Sequence, residues 1–90
     1  GITVSDLEPE WVELEISEKF APYRLTQPIH SSQRIEQLDG GKLKVRFHVL
    51  ITVEVISTIL GFGDNAKVVA PSHLKDKVSK TLRECLEMYR

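Results

Sequence analysis

The chain has 90 residues, 41% of them hydrophobic and 28% charged, with a formal net charge of −1 at pH 7. That is enough for one domain, burying roughly 60–65% of the surface its unfolded chain exposes, with no apolar run near the ~18 residues of a membrane span. Charge this balanced does not by itself mark a nucleic-acid binder, and the single cysteine, Cys85, leaves no internal disulfide.

The charge is unevenly placed. Residues 1–20 hold six acids against Lys19, a net of −5, while the remaining residues sum to +4. The opening GITVSDLEPE, with Pro9 just before the first apolar alternation, reads as a linker stub over residues 1–10, and residues 11–90 as a single domain. A lone cysteine and the lack of a signal-peptide pattern fit a reducing cytoplasm.

Trp11–Ser17 alternates, with Val12, Leu14 and Ile16 on one side and Trp11, Glu13 and Glu15 on the other, the period of a strand with one buried face. Ser17 can cap a short helix over Glu18–Leu25, distorted by Pro22 and ended before Pro28. His30–Leu38 reads as a polar strand at a sheet edge, with Ile35 as its clear core residue. Asp39-Gly40-Gly41 is a hairpin signal, because these residues accept positive φ.

The next stretch has the cleanest pattern. Leu43, Val45, Phe47, Val49 and Ile51 alternate with Lys42, Lys44, Arg46 and His48, which predicts a strand with one apolar and one basic face. From Thr52 the spacing changes to a short apolar helix through Leu60, with Gly61 as its C-cap. Ala66–Ala70 reads as a fourth strand stopped by Pro71, and Ser72 as the cap of a last helix. Along that helix Leu74, Val78, Leu82, Cys85 and Tyr89 fall on one stripe, which places Cys85 in the core as a small apolar residue.

The order is α+β: a ferredoxin-like βαββαβ sandwich with an added C-terminal helix, the first and third strands central. Its open face would carry Glu13 and Glu15 beside Lys44, Arg46 and His48. Those cations, with Arg34 from the neighbouring strand, could hold phosphates or an acidic partner; alternatively the glutamates neutralise them across the strands. Trp11 is a weaker candidate as a stacking platform. Phe62, between two glycines, could be held out toward a partner surface.

Catalytic and metal chemistry find no constellation. His30, His48 and His73 fall on three elements with no ligand spacing, and no nucleophile stands beside a base held by a third group. The expectation is a non-enzyme without cofactor or metal.

Several motifs in order carry a resemblance: His30-Ser31-Ser32-Gln33, Asp39-Gly40-Gly41, Ile59-Leu60-Gly61-Phe62-Gly63, a strand ending at Ala70-Pro71 with Leu74 after it, and a helix ending in Tyr89. Together they resemble the C-terminal extension, the WCX domain, of WYL-domain bacterial transcriptional regulators, over nearly the whole stretch from Trp11 to Arg90. The resemblance implies a cytoplasmic regulator with an N-terminal helix-turn-helix, a WYL domain, and this extension as an effector-sensing and dimerisation module. The effector it implies is anionic, nucleic acid in some members, or the contact is with a neighbouring subunit. On this chain the ligand-facing residues would be Gln33, Arg34, Lys44, Arg46 and His48, with Phe62 as a partner contact. Promoter binding is expected of other domains, since these 90 residues contain no helix-turn-helix. Amino-acid-binding regulatory domains share the βαββαβ plan and give the alternative function, although Ser17-Glu18-Lys19 lacks the glycine their binding loop carries.

Overall fold

A computed structural model describes residues 8–20 and 29–90. Strand β1 (Glu10–Ile16), β2 (Arg34–Gln37), β3 (Leu43–Val49), helix α1 (Val53–Leu60), β4 (Ala66–Ala70) and helix α2 (Ser72–Glu87) follow in chain order. The four strands form one antiparallel sheet in the order β2-β3-β1-β4. The first and third strands are therefore central, where the order of the elements put them. The result is a mixed α+β domain with the two helices on a four-stranded sheet. The helix expected over Glu18–Leu25 falls mainly on residues 21–28, outside the described residues; 18–20 form a turn.

The sheet's apolar face builds the core. Val12, Leu14 and Ile16 of β1 and Leu43, Val45, Phe47 and Val49 of β3 are buried, and Val68 of β4 joins them. Ile59 of α1, Phe62, and Leu74 and Val78 of α2 close the cluster. Burying each such side chain contributes about 1.5–3 kcal/mol relative to exposure, so this face holds the sheet and helices together.

Several local expectations change in the structure. Phe62 is only 8% exposed and its ring lies 5.7 Å from that of Phe20, so it fills the core rather than meeting a partner. Gly61 does end α1, but in the right-handed region at φ −65°; the positive φ of this corner falls on Gly63. Pro71 is the N-cap of α2, with Ser72 its first helical residue. Cys85 is exposed, because the buried residues of α2 are Leu74 and Val78 in its first half, and burial does not extend to its C-terminal half. Ile51 lies beyond the end of β3 and is half-buried.

The second strand is shorter than its pattern suggested: residues 30–32 form a turn, and β2 begins at Arg34. Ile35 lies opposite Val45, at the rim of the core, and is 39% exposed. The hairpin after β2 forms where expected, with Gly40 at φ 76° and Gly41 at φ 80°.

Candidate functional site

The face of the sheet opposite the core carries the strand charges except Glu10, which lies on the core side at the start of β1. In the β1–β3 register Trp11 lies opposite His48, Glu13 opposite Arg46 and Glu15 opposite Lys44. On the outer side of β3, Arg34 lies opposite Arg46 and Glu36 opposite Lys44. On the outer side of β1, Lys67 lies opposite Glu15. Side-chain alternation within each strand puts these nine residues on one surface.

Their pairing is partial. Arg46 Nε is 3.9 Å from Glu13 Oε1, Lys44 Nζ is 4.0 Å from Glu36 Oε2, and Glu15 is drawn to Lys42 at 3.4 Å rather than to Lys44 across the strands. All are solvent-facing pairs of the kind worth at most about 1 kcal/mol. Among the described residues no carboxylate lies within 4.0 Å of Arg34 or Lys67. The face therefore keeps cations that an arriving anion can engage without first breaking a strong internal bond. Arg34 directly opposite Arg46 adds like-charge repulsion that an anion between them would relieve.

Aromatic groups extend the same surface. Trp11, 41% exposed, has its ring 5.1 Å from that of His48 at an interplanar angle of 35°. The Arg46 guanidinium carbon lies 4.9 Å from the centroid of the indole, within cation–π range. Cation, indole and imidazole thus form a short ladder across β1 and β3.

A turn holds the outer end of this ladder. His48 N–H donates to Ser32 Oγ at 2.8 Å, so a hydroxyl takes the place that a β2 backbone carbonyl would fill in a longer strand. Ser32 N–H in turn donates to His30 Nδ1 at 3.1 Å, and Ile29 N–H donates to Gln33 Oε1 at 2.7 Å. These side-chain bonds, with Gln33 N–H donating to His30 C=O at 3.0 Å, favour a turn over His30–Gln33 in place of a longer ladder.

The structure brings Arg34, Lys44, Arg46 and His48 together as the sequence suggested. Gln33 is drawn into the turn, leaving only its amide NH₂ to offer a ligand. Phe62 is in the core. Lys67 joins the face although the sequence reading passed over it; its signal was its place in the alternation of Ala66–Ala70. His73 is elsewhere, its Nε2 2.7 Å from Glu10 Oε1, tying the start of α2 to the start of β1.

Two further concavities flank the strands. One, of about 490 Å³, is lined by Pro9, His30, His48, Val49, Leu50 and Val55 at the end of β3. The other, of about 180 Å³ at the opposite end, is lined by residues of both charges, among them Glu15, Lys42, Asp64 and Lys67.

No curated protein matches this chain. The family model of the WCX domain matches residues 8–86, spanning every strand and all but the last residue of α2. The motifs around His30–Gln33, the double-glycine hairpin and the Gly-Phe-Gly corner all lie within that span, and the chain belongs to the WCX domain family.

Proposed function

We propose that this domain is the C-terminal effector-sensing and dimerisation module of a bacterial, cytoplasmic WYL-type transcriptional regulator, and that it binds an anionic ligand on the open face of its sheet without catalysis. Family membership supports a regulatory module of WYL-type regulators. The observation that carries the anionic ligand is the incompletely neutralised cluster of Arg34, Lys44, Arg46 and Lys67 on one face. A nucleic-acid strand is the ligand class that also uses the exposed Trp11 and His48 rings beside the cations. The same strand order, with β1 and β3 central, supports reading the fold as ferredoxin-like.

Titrating a short fluorescently labelled single-stranded DNA tests this. Arg46→Ala and Lys44→Ala should each weaken binding and lower the slope of log affinity against log salt by about 0.7, one phosphate contact each. Unchanged affinity in both variants removes these residues from the site.

Dimerisation, or docking on the preceding domains of the regulator, has separate support. Leu82 and Leu86 in the C-terminal half of α2, with Met88 and Tyr89 just past its end, leave an exposed apolar stretch, with Tyr89 88% exposed. Sedimentation of wild type and Leu82→Glu would read it: a concentration-dependent dimer lost in the variant supports self-association through α2.

The amino-acid-binding alternative has one observation in its favour. The mixed-charge cleft near Ser17 offers both signs, as a zwitterion requires. Calorimetry with a panel of amino acids separates the two readings.

A further inference from the structure

The larger cleft sits where β3 leaves the sheet, and it is unlike the charged face beside it. Pro9, Val49, Leu50 and Val55 give it carbon walls, while His30 and His48 contribute its polar side-chain groups. Leu50 is 43% exposed, a large apolar residue left open to solvent at the rim. His30 is held by the turn: because Nδ1 accepts from Ser32 N–H, the proton of the neutral ring stands on Nε2, the ring's one donor. His48 belongs to both surfaces, lining the cleft and stacking against Trp11. Arg46 is two residues back on the same strand face, about 7 Å along β3, with Arg34 directly across from it.

These features restrict the occupant. A purely aliphatic guest would cover the His30 Nε2–H and the His48 ring without pairing them, at a cost. A small inorganic anion would gain nothing from the carbon walls. A flat ring with nitrogen and oxygen at its edge satisfies both, since its faces pack on apolar and aromatic surface while its edge meets the histidines. The neighbouring guanidinium groups then suit an anionic group attached to that ring.

We infer that the cleft between His30, His48 and Leu50 receives the planar heteroaromatic ring of the anionic ligand, a nucleobase in the case of a single strand, while the ligand's phosphate lies on Arg46 and Arg34. The inference rests on the sheet-face reading above and adds to it: the ligand is recognised by its ring as well as its charge. Ser32 becomes a positioning residue, since it ties His30 to the backbone of His48 and so holds the two sides of the cleft at fixed spacing.

Trp11 is the chain's only tryptophan and stacks on His48, so its fluorescence reports on this place. The test compares oligothymidylate with a base-free phosphodiester of the same length, using the 90-residue chain. Oligothymidylate should quench Trp11 and bind about tenfold more tightly than the base-free polymer, a gain within the range for stacking one base. Leu50→Asn should erase that difference while leaving base-free binding as it was, His48→Ala should erase it whatever it does to base-free binding, and thermal melting checks that both variants remain folded. Equal affinity for the two polymers in the wild type, or a difference that survives both substitutions, overturns the ring site and leaves the anionic reading standing. Binding of neither polymer overturns both.

Discussion

At the scale of single residues, Arg46 has the most connections on the open face. It lies 3.9 Å from Glu13, 4.9 Å from the Trp11 ring centroid, and opposite Arg34 in the next strand. None of these contacts is buried, so Arg46→Ala should change stability by less than about 0.5 kcal/mol, measured by urea denaturation. On the proposed reading its effect falls on ligand binding. Ser32 is the reverse case. Its hydroxyl is the acceptor for His48 N–H, and Ser32→Ala leaves that donor to water at the end of β3. The expected cost is about 1 kcal/mol, with faster amide exchange at His48 as the local sign.

At the scale of elements, the hairpin between β2 and β3 sets the register of the charged face. Both its glycines have positive φ, but their surroundings differ. A Cβ on Gly40 would meet nothing within 4 Å, whereas one on Gly41 would stand 2.8 Å from Glu18 Cγ. Gly40→Ala should cost about 1–2 kcal/mol from backbone strain alone. Gly41→Ala should cost a similar amount, because the exposed Glu18 side chain can turn aside, and a denaturation midpoint well below that of Gly40→Ala would show that it cannot. Helix α2 divides along its length. Leu74 is fully enclosed and Leu74→Ala should cost about 2–5 kcal/mol, while Leu86→Ala should stay within about 0.5 kcal/mol in a monomer. The two halves share one apolar stripe in sequence, but only the first half buries it.

For the whole molecule, the sheet splits the chain's properties between its faces. One face is continuous carbon under α1 and the start of α2; the other carries both signs of charge with a small excess of cations. The net charge of −1 conceals this, because much of the acid lies near the start of the chain. The proposed binding of an anionic ligand should accordingly be strong at low salt and fall steeply as salt rises, although the protein as a whole is slightly acidic. Stability should respond little to the same salt range, since among the described residues the strand ion pairs are solvent-facing. A salt titration of the melting temperature alongside the binding titration separates the two responses.

The alternation of Leu43–Val49 and Trp11–Ile16 was enough to identify two strands, their buried faces, and the basic surface opposite. Period-two patterns are local, and a one-residue slip would bury every charge. Gly40 and Gly41 were equally legible, because a tight turn requires positive φ and the sequence supplies it there. Other properties depended on what each element meets. Cys85 and Tyr89 share the helical stripe of Leu74 and Val78 but are exposed, since periodicity names a face without saying how far the partner surface extends. Phe62 sits between glycines as a projecting residue would, yet Phe20, distant in the chain, draws it inward. The sharing of His48 between the Trp11 ladder and the cleft came only from tertiary structure, because it joins residues from β1, β3 and the turn before β2. Local chemistry determined which residues could form a site; the packing of the sheet decided which of them meet.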